Sequence, residues 1–138
     1  MNNQTKFTET LIKADELAKV TGNKYRVLST RPYEGKNDLP NGITMELLIM
    51  EDHAPAGYYG MKKDGSPREG VIYQNLTVTI ANGEKDKMMK EIHAGDEIAL
   101  YDLDQDHSYF INYELILRFR KYKKINEKDN HENNKNDH

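Results

Sequence analysis

A mainly β barrel of five strands, with one helix between the third and fourth and a helical extension ahead of the first, is the fold class this sequence predicts. Three observations carry the prediction. Several runs alternate apolar and polar residues with the period of two that a half-buried strand requires; the clearest is SYFINYELILRFRKYKK, residues 108–124. Two other stretches space their apolar residues as helices do. Glycine and proline punctuate the connections. At 138 residues, 36% of them hydrophobic, the chain has room for one domain with a core, plus tails.

Taken in order, residues 1–6 are polar. Phe7 to Val20 places Phe7, Leu11, Ile12, Ala14, Leu17 and Ala18 close to one helical stripe, with Gly22 as its stop. Residues 1–23 therefore form an arm that either caps the barrel or docks on a neighbouring subunit. The first strand is KYRVLST, Lys24 to Thr30, ending at Arg31-Pro32. The second is ITMELLIME, Ile43 to Glu51, with Ile43, Met45, Leu47 and Ile49 on one face. The third is VIYQNLTVTIA, Val71 to Ala81. It turns Ile72, Leu76, Val78 and Ile80 inward and Tyr73, Asn75, Thr77 and Thr79 outward. Glu84 to Ile92 has helix composition, an apolar patch of Met88, Met89 and Ile92, and Gly83 and Gly95 on either side. EIALYDL, Glu97 to Leu103, is the fourth strand. Residues 108–124 are the fifth, with Tyr109, Ile111, Tyr113, Leu115, Leu117 and Phe119 inward and Phe110 outward.

The order β-β-β-α-β-β over residues 24–125 is that of the OB-fold, a small, partly open Greek-key barrel. A five-stranded sheet with a covering helix would give the same string. The loop DHAPAGYYGMKKDGSPREG between the second and third strands has the length of a functional or disordered segment. Residues 126–138, NEKDNHENNKNDH, are almost devoid of apolar side chains and read as a disordered polar tail.

Composition narrows the function. A net charge of -3 and a pI near 6.0 argue against a protein that coats nucleic acid through an overall basic excess, although binding follows local charge and not the sum. The absence of cysteine removes disulfide scaffolds and thiolate metal sites. No apolar run has signal-peptide or membrane length, so a cytoplasmic protein with no membrane partner is expected. No G-x-S-x-G, P-loop or G-x-G-x-x-G motif is present. Asp102, Asp104 and Asp106 have the oxygen spacing of a calcium loop, but His107 and Tyr113 stand where that loop needs Gly and Glu. The five histidines have no zincin spacing. No catalytic residue, metal or cofactor is expected, and the chain does not read as an enzyme.

Binding has more support. There are nine tyrosines and three phenylalanines, several at positions where a barrel needs polar or small residues. Tyr58 and Tyr59 sit together in the long loop, followed by Lys62, Lys63 and Arg68. Tyr73 falls on the outward face of the third strand and Phe110 on that of the fifth, with Arg118 and Arg120 beyond it. Arg31 ends the first strand. Flat rings stack on unpaired bases, at roughly 1–3 kcal/mol per base, while cations follow phosphates. Each ring has a plainer reading: Tyr73 and Phe110 packed beneath the N-terminal helix, Tyr58 and Tyr59 anchoring their loop. Residues 112–124 carry five cations and one acid, net +4. The acid of the chain, including Asp102, Asp104 and Asp106, would then lie elsewhere and leave the strand end as a phosphate track. Alternatively the lysines merely blunt a sheet edge.

The stretch YQNLTVTIANGEKDKMMKEIHAGDEIALYDLD, with a long strand, a short helix and the AGDEI turn opening the next strand, resembles OB-fold single-stranded DNA-binding proteins over residues 24–125. More narrowly, the chain is similar to the PrgE type encoded on conjugative plasmids of Gram-positive bacteria, which carry an N-terminal segment before the barrel. The resemblance implies sequence-independent binding of single-stranded DNA, with RNA as a further possibility, and self-association through the N-terminal arm. It implies a place in plasmid or mobile-element DNA processing or transfer. The chain departs from the housekeeping single-strand binders in ending NNKNDH, without an apolar hook, and in lacking tryptophan. An OB-fold protein-interaction module without nucleic-acid binding is the alternative.

Overall fold

The computed structural model describes residues 12–36, 38–111 and 114–125. Its elements are α1 (Ala14–Thr21), β1 (Tyr25–Tyr33), β2 (Gly42–Ile49), β3 (Asn75–Ile80), α2 (Lys85–Glu91), β4 (Glu97–Leu103), β5 (Tyr109–Ile111) and β6 (Glu114–Ile125). The hydrogen-bonded order is β3-β2-β1-β4-β6-β5, and a further parallel pairing of β3 with β6 closes the sheet. Five strands thus form a closed barrel and β5 is an extra strand beside it. The parallel β3–β6 contact and the helix between β3 and β4 make this the expected OB-fold barrel.

Binary patterning builds the wall. In β2 every odd residue, Ile43, Met45, Leu47 and Ile49, is fully buried, because alternate side chains of a strand share a face. Leu76, Val78 and Ile80 of β3 meet them from the neighbouring strand. Gly42 starts β2 where β3 passes so close that a Cβ would lie 1.7 Å from the Ile80 carbonyl oxygen. Closure rests on β6. Its first half runs parallel to β3 (Thr77 opposite Ile116, Ile80 opposite Phe119) and its second half antiparallel to β4 (Leu103 opposite Phe119, Glu97 opposite Ile125).

The described helix α1 buries Leu17 and Val20 in the core and stops at Gly22, whose φ of 71° is the left-handed conformation glycine favours. The Thr21 hydroxyl donates to the Leu17 carbonyl at 2.8 Å and meets the Tyr25 hydroxyl at 2.8 Å, tying helix to barrel. α1 is therefore a cap over its described length. The part of the expected stripe carried by Phe7 and Leu11, and the tail of residues 126–138, lie outside the described residues. α2 buries Met88 and lies against β1 and β2.

Three elements differ from expectation, the first being β1, which runs on through Arg31 and Pro32 to Tyr33 in its pairing with β2 instead of ending at Arg31-Pro32. The third strand begins at Asn75, not Val71. Residues 71–74 form a turn, closed by Gln74 N–H on the Val71 carbonyl at 3.0 Å, that buries Val71 and exposes Ile72. The single run 108–124 is two strands, β5 folding back antiparallel on β6 with Tyr109 opposite Ile116 and Phe110 opposite Leu115. The reversal breaks the alternation: Tyr109 and Ile111 are exposed, whereas Leu115, Leu117 and Phe119 are buried as expected. A run of period two carries no mark of where the chain reverses when both arms are apolar.

Candidate nucleic-acid interface

Residues paired across neighbouring strands share a face, so the registers define the outside of the barrel. One row crosses it as Arg31 on β1, Thr44 on β2, Thr79 on β3 and Arg118 on β6. The next row is Ser29, Glu46, Thr77, Ile116 and, on β5, Tyr109. A third is Arg26, Leu48 and Asn75. Thr44 and Thr79, in the middle of the first row, are buried, with their hydroxyls hydrogen-bonded to each other at 2.8 Å, and Thr77 donates to Glu46 at 2.9 Å. Glu46 is thereby spent within the sheet. Arg31 stands exposed at one end of its row. At the other end the Arg118 guanidinium lies 5.6 Å from the centre of the Tyr109 ring and donates to the His107 carbonyl at 2.7 Å.

Tyr109, 45% exposed, is the ring sequence reasoning missed, having been placed inside. The usable signal was the polar DLDQDHS segment just before it, which leaves little length for a strand ahead of the reversal.

The structure moves several expected residues. Phe110 is not on the outward face: the β5 reversal turns it toward the barrel, where it packs against the core. Tyr73 is not on β3. It sits in the preceding turn at φ 63°, with its N–H on the Ile49 carbonyl at 2.7 Å, and at 64% exposure it is the most open large ring described. It neighbours the Leu48–Asn75 end of the face. Tyr58 and Tyr59 anchor their loop. Both pack against the core, edge to face at 5.0 Å, and the Tyr58 hydroxyl donates to Glu16 of α1. Burial, reinforced by the Asp52 carboxylate, pushes the Tyr59 phenol far above its usual range, so it stays neutral. Lys62, Lys63 and Arg68 are exposed at the tip of that loop, where Lys62 N–H bonds the Ser66 carbonyl at 2.7 Å and Arg68 N–H the Gly60 carbonyl at 2.9 Å.

The expected separation of acid from base does not hold. Arg120 is ion-paired to Asp102 at 3.3 Å and to the buried Asp104 at 3.5 Å. Asp102, at φ 63° near the end of β4, and Asp104 just beyond it are set beside Arg120 by the pairing of β4 with β6. Asp104 also accepts from His107 at 2.8 Å. The cleft of about 390 Å³ between the β1–β2 loop and the β4–β5 turn is consequently mixed in sign, with Asp38, Asp104 and Asp106 against Arg118 and Arg120. OB-folds commonly bind ligands with those two loops and the strand 2–3 face; in this chain the face is the less acidic part.

Beyond Arg120 the balance reverses. A groove of about 550 Å³ between α2 and the end of β6 is lined by Lys87, Arg120, Lys121, Lys123 and Lys124, against Glu84 and Glu91. Lys124 is taken up by Asp96 at 3.3 Å and the Glu91 carbonyl at 2.9 Å. Lys121 and Lys123 are exposed.

No family model matches the chain, and no curated protein does. Among solved structures, the crystal structure of Schizosaccharomyces pombe Pot1pC bound to ssDNA (CGGTTACGGT) is similar at 12% identity, over 77% of this chain and 78% of that one, with a TM-score of 0.41. A likeness at that level carries no argument about function. Among the described residues no helix is long and apolar enough to cross a membrane.

Proposed function

We propose that this chain binds single-stranded nucleic acid, DNA in the first instance, without reading its sequence. The observation that carries the proposal is the outward face of β1, β2, β3 and β6. Arg31 and Arg118 stand at the two ends of a row whose middle, Thr44 and Thr79, is buried and self-paired; the open ring of Tyr109 lies beside Arg118, and that of Tyr73 lies beyond the start of β3. A guanidinium 5.6 Å from an open ring, with a second open ring on the same side of the barrel wall, suits a ligand with a charged backbone and unpaired flat bases. A duplex hides those bases, so it would meet only the cations.

From the resemblance in sequence, the proposal extends to a cytoplasmic protein without enzymatic activity. It acts in plasmid or mobile-element DNA processing or transfer and self-associates through its N-terminal arm. RNA is a second single-stranded ligand the same face accepts.

Fluorescence anisotropy of labelled single-stranded and duplex oligonucleotides of equal length tests it, each titrated at about 50 and about 200 mM salt. Tighter binding of the single strand, weakening as salt rises, supports the proposal. No binding of either at micromolar protein overturns it and returns the face to a protein-interaction role.

A further inference from the structure

The groove between α2 and the end of β6 lies outside the face described above. We infer that it is a second phosphate-binding surface, which takes the sugar-phosphate backbone of the same single strand after it leaves the β1–β2–β3 face. This rests on the proposed nucleic-acid binding and assigns it a longer footprint.

Three observations carry it. The first is continuity. β6 passes from the face to the groove without interruption: Arg118 stands in the outward row, Arg120 is on the same side of the strand by alternation, and Lys121 and Lys123, on its other side, complete the groove lining at the strand end. At about 3.3 Å per residue, Arg118 to Lys123 spans about 17 Å. The second is charge. The mixed cleft beside Arg120 offers no net attraction to an anion, whereas the groove holds five cations against two carboxylates. The third is availability. Arg120 and Lys124 are committed to Asp102, Asp104 and Asp96. Among the described residues Lys121 and Lys123 have no ion pair. Lys123 stands opposite the buried Ala99, and Lys121 opposite Tyr101, a ring 47% exposed. Two ammonium groups without an ion pair thus repeat, on a second surface, the cationic part of the chemistry of the first; the Tyr101 ring lines the separate pocket beside α1. Lysine side chains suit backbone contacts here because they act as point charges and need no fixed base geometry.

The test uses Lys121→Ala/Lys123→Ala in the full chain with two single strands, one of about 8 nucleotides, within the roughly 4–16 that a single OB barrel covers, and one of about 30, well beyond it. The expected result is unchanged affinity for the short strand. For the long strand, affinity falls, and the slope of log affinity against log salt drops by about 1.4, because each lost phosphate contact on a single strand removes about 0.7. Thermal melting should not move, since both side chains are exposed and unpaired. Equal weakening on both strands would place the two lysines in the first site and overturn the inference. So would an unchanged slope on the long strand with wild-type binding intact. Failure of the wild-type chain to bind either strand would instead remove the nucleic-acid reading itself.

Discussion

Replacing Tyr73 with glycine separates strain from packing and both from binding. Tyr73 holds a φ of 63°, a left-handed conformation that costs an L-residue with a Cβ roughly 1–2 kcal/mol. Glycine adopts it freely but loses more chain entropy on folding, about 0.5–1 kcal/mol. With 64% of the residue exposed, about a third is covered. For a ring of roughly 200 Å² that is about 70 Å², or at most about 2 kcal/mol at 25 cal/mol/Å². These contributions largely offset one another, so Tyr73→Gly should lower the unfolding free energy by no more than about 2 kcal/mol in urea melts. Loss of a stacking ring costs about 1–3 kcal/mol per base, a fall of roughly fivefold to over a hundredfold in single-strand affinity by anisotropy. A stability loss well above about 2 kcal/mol would mean that the ring is packed. Unchanged affinity at unchanged stability would mean that its strained exposure serves no ligand of this kind.

Arg31→Ala should leave melting unchanged and lower the salt slope of single-strand binding by about 0.7, the value of one phosphate contact. Gly42→Ala should destabilise by about 1–3 kcal/mol or more, measured by urea denaturation, because its Cβ would meet the Ile80 carbonyl at 1.7 Å. The Tyr25 phenol is pushed up to about 12 by burial, which outweighs the opposing hydrogen bond to Thr21. Its stabilising contribution is therefore complete below about pH 10, where the unfolded phenol titrates, and is lost as pH rises toward about 12, amounting to about 2–3 kcal/mol. Thermal melts from pH 9 to 12 should show that decline, and Tyr25→Phe should flatten it. Tyr58→Phe, which removes the hydroxyl bonded to Glu16, should cost about 1 kcal/mol and leave nucleic-acid affinity unchanged.

The strand content, the helix between the third and fourth strands and most of the core were legible in the sequence, because alternation and helical spacing are local and burial follows them. β2 shows this best: all four of its predicted inward residues are fully buried. β4 runs from Glu97 to Leu103 as expected. Gly22 ends α1 as its position implies. What the tertiary structure alone decided was which side chains remain available to a ligand. The 108–124 run gave no sign that it reverses, and that reversal exchanged Phe110 for Tyr109 on the surface. Asp102 and Asp104 looked distant from the basic strand end until pairing of β4 with β6 set them against Arg120. Tyr58 and Tyr59 could be read as free rings or as loop anchors, and only the folding of a loop with no periodicity set them onto the core. Exposure and ion pairing depend on contacts between residues far apart in the chain. A period of two or 3.6 records only which side of its own element each residue occupies.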